Sequence, residues 1–174
     1  RIERIDQFGR SLASGDFDGD GYYDVAVGVP YETINDGLEE IRRAGAVHII
    51  YGSSAGGLTP AGNQFLHQDS PDVAGIDEED DNFGYSLAVG NFNGDEYDDL
   101  AIGVPGDNAE RGSVNVLYGR GSGLSKFGDQ RWTLGSKGIQ GAPADGKAFG
   151  SAVTIGDFDG DGFDDLATGV PGDK

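Results

Sequence analysis

The stretch FGRSLASGDFDGDGYYDVAVGVP at 8–30 decides the fold, because it recurs twice in the chain with the same internal spacing. The other copies are FGYSLAVGNFNGDEYDDLAIGVP at 83–105 and FGSAVTIGDFDGDGFDDLATGVP at 149–171. All three copies align without gaps, and the length varies only in the connections between them. A rigid unit that alternates with variable connections indicates a repeat protein.

The connections contain further apolar stretches that predict more strands. AGAVHIIYG at 44–52 and GSVNVLYG at 112–119 are rich in β-branched residues and predict the third strand of each unit. QFLHQD at 64–69 and QRWTLGS at 130–136 are the candidates for the fourth strand. Each period therefore has room for about four short strands, which is the content of a propeller blade.

We expect an all-β fold made of β-propeller blades, with two full four-stranded blades and part of a third. The predicted repeats span approximately 8–82, 83–148 and 149–174, within a single partial propeller at 1–174. Such an array buries its apolar faces only by stacking on neighbours. We therefore expect further blades, either from a longer parent protein or from other copies of the chain, with RIERID at 1–6 as a candidate strand donated to another copy.

Two other segments carry expectations of their own. TINDGLEEIRR at 33–43 could form a helical turn or a long hairpin loop, and we favour an exposed loop. The acidic run DEEDD at 77–81 is interpreted as a solvated connector.

Composition excludes several classes of function. The formal net charge of −19 opposes binding to nucleic acid or to anionic lipid surfaces. The absence of cysteine excludes disulfides and thiolate metal sites. No apolar run is long enough to span a bilayer, so we expect a soluble protein that does not insert directly into a membrane.

Each repeated unit contains a nine-residue loop whose oxygen-bearing side chains fall at positions 1, 3, 5 and 9. The loops are DFDGDGYYD at 16–24, NFNGDEYDD at 91–99 and DFDGDGFDD at 157–165. Ca²⁺ takes six to eight oxygen ligands, and alternating acids in a tight loop can direct them at one centre. An EF-hand is the competing interpretation, but it needs flanking helices and a glutamate at position 12, where the first loop would have Val27.

We therefore predict up to three calcium sites, each with four side-chain ligands and the backbone carbonyl of position 7. The predicted ligands are Asp16, Asp18, Asp20, Tyr22 and Asp24; Asn91, Asn93, Asp95, Tyr97 and Asp99; and Asp157, Asp159, Asp161, Phe163 and Asp165. The site at 91–99 should be the weakest, because two asparagines replace aspartates and Glu96 replaces a loop glycine. Magnesium should be disfavoured, since it demands a tighter octahedral shell.

The order Phe-Gly, acidic loop, Gly-x-Pro resembles the FG-GAP repeat of integrin α subunits, with Gly-Val-Pro in place of Gly-Ala-Pro. The resemblance covers nearly the whole chain and implies a seven-bladed propeller whose calcium loops join the first two strands of a blade. The chain departs from animal integrin α heads in having no cysteine and in holding only two whole units and part of a third. A bacterial or other non-animal source is expected on that ground.

We expect a non-catalytic, calcium-binding module for adhesion or protein recognition, secreted or on the cell surface, with a protein or glycan ligand. An accessory domain of a secreted enzyme is one alternative, but His48 and His67 are interpreted as structural or surface residues. A lectin-like, carbohydrate-binding propeller is another, but we expect Trp132 to pack between blades. Aromatic loop residues are also expected to pack on the neighbouring blade; they are Tyr22, Tyr23, Tyr97 and Phe163.

Overall fold

The computed structural model describes residues 6–35, 37, 39–71 and 73–172. Most of RIERID, the strand proposed for exchange between copies, lies outside the described residues. The elements are β1 Ser11–Gly15, β2 Asp24–Val29, β3 Ile34–Asn35, β4 Glu40–Ile41, β5 Ala46–Ile50, β6 Gln64–Leu66, β7 Ser86–Gly90, β8 Asp99–Val104, α1 Asp107–Glu110, β9 Ser113–Tyr118, β10 Ser125–Trp132, β11 Val153–Gly156 and β12 Asp165–Thr168.

The strands form separate antiparallel sheets, one for each repeated unit. The first sheet has the order β1-β2-β5-β6, the second has the same order with β7-β8-β9-β10, and β11 pairs with β12 in the third. Each sheet therefore follows the chain as a meander from its first strand outward. This confirms the prediction of two four-stranded blades and part of a third.

The acidic loop closes the first hairpin of every sheet in the same register. Gly15 pairs with Asp24 in the first sheet, and the equivalent glycine and aspartate pair in the second and third. Strands therefore flank each loop on both sides. The helices that an EF-hand requires are absent from these described flanks, so that interpretation is wrong.

The core lies mainly between sheets, because β1 packs against β7 and β7 packs against β11. The Phe of the second and third Phe-Gly pairs fills this space, with Phe83 fully buried and Phe149 nearly so. Phe8, which has no described sheet before it, is 52% exposed. The repeated Phe-Gly pair therefore packs a sheet onto the one before it.

In the first two units, the glycine of Gly-Val-Pro lies where the backbone of the next sheet approaches closely. A Cβ on Gly28 would lie 2.2 Å from the carbonyl oxygen of Gly84, and one on Gly103 would lie 2.1 Å from that of Gly150. Ser11 Oγ donates a hydrogen bond to the same Gly84 carbonyl at 2.6 Å. The repeat thus keeps glycine here to make room for the backbone of the next sheet.

Several connections differ from their predicted form. The segment at 33–43 carries the short antiparallel pair β3 and β4, and Ile34 is buried, so it is a hairpin and not simply an exposed loop. The fourth strand of the second sheet begins at Ser125, earlier than predicted, and ends at Trp132. None of the helices described in the structure is long and apolar enough to cross a membrane.

The expectation of a solvated connector at 77–81 is wrong for two of its residues. Asp77 is 5% exposed and Asp81 is 1% exposed. Asp77 accepts hydrogen bonds from the Gln68 backbone N–H and pairs with His67 Nδ1. The run is acidic, but it folds back onto the second sheet instead of facing water throughout.

Candidate metal centres in the hairpin loops

The first loop gathers three of its four predicted side-chain ligands around one point. Asp16, Asp18 and Asp24 each offer a carboxylate oxygen, and these oxygens lie within 4.8 Å of one another. The backbone turns inside the loop and holds them there, since Asp16 accepts hydrogen bonds from the N–H groups of Asp20 at 3.1 Å and Gly21 at 2.9 Å. The three oxygens are close enough to share one cation.

Asp24 anchors this group at the base of the hairpin. Its side chain is fully buried, and its two oxygens accept hydrogen bonds from the N–H groups of Phe17 and Gly52, each at 2.8 Å. Burial raises the pKa of the Asp24 carboxyl, and the charges of Asp18 and Asp16 raise it further, although these two hydrogen bonds lower it. Burial likewise raises the pKa of Asp18. A cation at the centre would stabilise the ionised carboxylates and so oppose the effects of burial and of charge repulsion.

The third loop repeats this arrangement. Oxygens of Asp157, Asp159 and Asp165 lie within 4.8 Å of one another. Asp157 accepts hydrogen bonds from the N–H groups of Asp161 at 3.0 Å and Gly162 at 3.1 Å, as Asp16 does in the first loop. The loop is more exposed than the first, but its carboxylates are held in the same way.

The aspartate at position 5 does not join the three-carboxylate group in either loop. Asp20 Oδ1 accepts a hydrogen bond from the N–H of Tyr22 at 2.8 Å, and Asp161 Oδ1 accepts one from Phe163 at 2.9 Å. In this geometry the residue shapes the turn that leads to position 7. Its role as a ligand, and that of the position 7 carbonyl, remain predictions.

In the second loop, the side-chain amides of two asparagines donate hydrogen bonds to Asp95, which is itself a predicted ligand. Asn91 Nδ2 donates to the Asp95 carbonyl at 2.7 Å, and Asn93 Nδ2 donates to Asp95 Oδ2 at 2.8 Å. Asp99 is fully buried like Asp24, and burial raises its pKa to about 6. The loop therefore satisfies its own oxygens with neutral donors to a degree that the other two do not.

The loops also contact one another between sheets, which the sequence analysis did not foresee. Asp98 Oδ2 accepts a hydrogen bond from the backbone N–H of Asp16, and Asp164 Oδ2 accepts one from that of Asn91, each at 2.8 Å. The signal was present in the sequence, because position 8 is acidic in the second and third loops. The first loop has Tyr23 there, and it is 73% exposed.

The aromatic residues of the first loop also differ from those of the second and third loops. A Cβ on Gly19 would meet the Tyr97 ring at 2.6 Å, and one on Gly94 would meet the Phe163 ring at 2.4 Å, so both rings pack on the preceding loop as predicted. Tyr22 and Tyr23 are 44% and 73% exposed and have no described loop before them to pack on, so for these two residues the expectation stays a prediction. Position 7 contacts a neighbour only where a described sheet precedes it.

The remaining side chains that the sequence singled out lie away from the loops. His48 lies between Phe8 and Phe65 and contacts both rings at a tilt, with ring centroids 5.6 and 4.8 Å away. Trp132 is partly buried and packs with Phe149 in the cluster between the second and third sheets, as predicted. These contacts give His48 and Trp132 packing roles.

Comparison with known families gives one match. A family model described as "FG-GAP repeat" matches residues 8–50, 83–117 and 149–174. These segments contain the three acidic loops and the strands on either side of each loop.

Curated relatives agree with this match. The chain is 34% identical over 167 residues to integrin alpha-PS5 of Drosophila melanogaster and 33% identical over 177 residues to integrin alpha-V of Gallus gallus. These alignments cover 95% and 94% of the chain but only 15% and 14% of those relatives. It is also 36% identical over 115 residues to the human phosphatidylinositol-glycan-specific phospholipase D, covering 64% of the chain and 12% of that protein.

Proposed function

Because the chain belongs to the FG-GAP repeat family, we propose that it is a calcium-binding β-propeller module that serves adhesion or protein recognition outside the cell. The main support for the proposal is the cluster of three carboxylates formed by Asp16, Asp18 and Asp24. The same group recurs in the third loop. Its partial burial and its network of backbone N–H donors favour an ordered cation site over a merely acidic surface.

Calcium fits these loops better than other cations do. The ligands are hard oxygens, which excludes a preference for soft transition metals. The loop is open to water on one side, since Asp18 and Asp20 are not buried, so water can complete a shell of six to eight ligands. Magnesium would need a more rigid octahedral arrangement than a loop of this kind provides.

The second loop is proposed as the weakest of the three sites. Its first two ligand positions are the neutral Asn91 and Asn93, and both amides already donate to Asp95. A cation must displace or reorient these hydrogen bonds before it can bind. At the millimolar calcium levels met outside cells, even a weak site of this type can be filled.

Recognition is favoured over catalysis because the carboxylates that could serve as acid or base are repeated and committed to loop structure. The relatives include integrin alpha chains, and their alignments cover 94% or more of this chain. We propose a protein or glycan ligand, and further blades stacked on the first and third sheets. The repeats at 8–82, 83–148 and 149–174 are proposed as successive blades.

Two alternative functions have less support. The similarity to a phospholipase D would suit an accessory domain of a secreted enzyme, but it covers a smaller part of the chain. A carbohydrate-binding propeller would use an exposed aromatic side chain, and Trp132, the one tryptophan in the sequence, does not supply it because it is partly buried between sheets.

The proposal is tested by titrating calcium into the chelator-stripped chain, with magnesium as a parallel titrant. Asp18→Asn and Asp159→Asn should each weaken calcium binding at one site and reduce the calcium-induced rise in Tm. Asp145→Asn is the matched control, since it removes the same charge from an exposed side chain far from the loops. If wild type shows no calcium-specific rise in Tm, the calcium-binding function is wrong.

A further inference from the structure

A second kind of acidic cluster lies at the opposite end of the second sheet from its hairpin loop. It consists of Glu78, Asp81 and Asp107, whose carboxylate oxygens lie within 4.8 Å of one another. Asp81 precedes β7 and Asp107 follows β8, and in this antiparallel pair the loop at 91–99 joins the other ends of the strands. The cluster is therefore separate from the three loops discussed above.

The cluster is far more buried than an ordinary acidic surface. Asp81 is 1% exposed and Asp107 is 2% exposed, while Glu78 reaches the surface. The backbone holds it together, since Asp81 Oδ2 accepts a hydrogen bond from the Glu78 N–H at 2.8 Å, and the Asp81 carbonyl accepts one from Gly106 at 3.0 Å. The connector and the turn after β8 are thus tied to each other.

Two buried oxygens at this place have no hydrogen-bond partner. They are Asp81 Oδ1 and the amide oxygen of Gln68, whose residue is 1% exposed. Asp81 Oδ1 belongs to the cluster itself, whereas Gln68 borders it through its amide nitrogen, which donates to Asp107 Oδ2 at 3.4 Å. Leaving such an oxygen unpaired away from water is unfavourable, so each of them indicates a missing positive or hydrogen-bonding partner.

The charges of the cluster are not balanced by the side chains around it. Arg131 pairs with Asp107 Oδ2, at 2.5 Å from its terminal nitrogen and 3.0 Å from Nε. Among the described residues, no ion pair neutralises Glu78 or Asp81. Asp77 lies nearby and adds a further negative charge to the surroundings of Asp81. Two carboxylates therefore remain for a cation to neutralise.

We propose that Glu78, Asp81 and Asp107 form a site for a divalent cation of the calcium type. The donors are all hard oxygens, which suit Ca²⁺, and water can supply the remaining ligands. A cavity of about 310 Å³ borders the cluster and is lined by Ile76, Glu78, Asp107 and Arg131, among others. It gives an ion access from solvent to Glu78 and Asp107.

Such an ion would fix the connection between the first and second sheets. The connector brings Asp77 and Asp81 into the structure, and Asp107 also accepts a hydrogen bond from Ser113 in β9. A cation that binds Asp81 and Asp107 together would therefore join the connector to two strands of the second sheet. It would order loops at the end of the sheets that the hairpin loops leave free.

The test is a count of bound calcium by equilibrium dialysis on the whole chain, with Asp81→Asn as the main variant. Asparagine is isosteric and uncharged, so we expect the count to fall by one while circular dichroism shows an unchanged fold. Asp80→Asn is the matched control, because Asp80 is adjacent, half-exposed and paired with Arg43. It should leave the count unchanged.

Glu78→Gln provides a second variant in case Asp81→Asn does not fold, because the Glu78 side chain is exposed. It should lower calcium affinity at one site by at least tenfold. An unchanged count and affinity in a folded Asp81→Asn or Glu78→Gln protein would overturn the proposal and indicate a protonated Asp81 instead. The result is independent of the hairpin loops, since Asp18→Asn and Asp159→Asn report on those separately.

Discussion

Asp98 Oδ2 accepts a hydrogen bond at 2.8 Å from the backbone N–H of Asp16, which is the first predicted ligand of the preceding loop. The backbone N–H of Asp98 in turn donates to the Asp16 carbonyl at 3.1 Å. The same pair of contacts joins Asp164 to Asn91. The first and second loops are therefore each held from outside by the loop that follows, so the order of these two metal sites depends on sheet stacking.

Replacement of Asp98 by alanine should destabilise the stack. It leaves the Asp16 N–H without its acceptor, and the expected loss is about 1 kcal/mol in the free energy of unfolding. Calcium affinity of the first loop should fall as well, because Asp16 loses an external constraint. Urea unfolding and calcium titration measure the two effects.

Asp98→Asn is the control for this substitution, since its side-chain oxygen can still accept the hydrogen bond. It should retain most of the stability. Equal losses for the alanine and asparagine variants would show that the negative charge, and not the hydrogen bond, is what matters.

Gly28→Ala should lower the free energy of unfolding more than Asp98→Ala does, because the new Cβ would lie 2.2 Å from the Gly84 carbonyl oxygen. Overpacking of this kind typically costs about 1–3 kcal/mol, since one sheet must move away from the next. The measurement is again the free energy of unfolding.

The chain supplies its own control for this prediction. Gly169 occupies the same motif position in the third unit, but its Cβ would have no contact nearer than 3.5 Å. Gly169→Ala should therefore be nearly neutral. A loss as large as that of Gly28→Ala would mean that the glycine is needed for the strand itself and not for the approach of the next sheet.

Sequence reasoning predicted the elements that repeat, because period and spacing encode them directly. It located the hairpins, the loops and the packing of Tyr97 and Phe163. It failed where a side chain's surroundings come from a distant segment. The burial of Asp81 depends on the turn after β8, and Tyr51 meets the backbone of Leu124 through its hydroxyl at 3.0 Å. No local pattern records contacts that join residues so far apart in the chain.

The interpretation of 77–81 shows why composition misled. A run of five acidic residues is normally solvated, and Glu79 in this run is indeed exposed. Asp77 and Asp81 are instead fixed by N–H donors of the connector. Those donors become visible only when the turns of the connector are known.

The stability of the first sheet should depend on His48 in mildly acidic solution. Burial lowers the pKa of His48 below its usual 6.5, so the unfolded chain binds a proton more readily than the folded one. The contribution of neutral His48 to the free energy of unfolding is therefore fully present above about pH 6.5. It is lost as the pH falls through the lower pKa of His48 in the folded chain. Charged groups near this face are Asp6, Glu32, His67 and Asp69.

His48→Gln isolates this effect, because glutamine does not titrate. The free energy of unfolding of wild type should fall more steeply between pH 7 and 5 than that of the variant, measured by urea unfolding at each pH. Parallel pH profiles for the two proteins would contradict the prediction and assign the acid sensitivity to other groups.

Restoring the missing charges in the second loop should convert it into a stronger calcium site. In Asn91→Asp/Asn93→Asp the two amides that donate to Asp95 become carboxylates, so the loop acquires the ligand set of its neighbours. Without calcium the new charges repel Asp95 and Asp99, and each close pair costs about 1 kcal/mol in water. With calcium the same charges bind the cation.

The double variant should therefore have a lower Tm than wild type in chelator and a larger rise in Tm on adding calcium. Asn63→Asp, which adds one negative charge at an exposed position outside the loops and outside the Glu78, Asp81 and Asp107 cluster, is the control and should not increase the calcium response. A double variant that loses stability in chelator but gains no calcium affinity would show that Glu96, in place of the glycine of the other loops, blocks the site by itself.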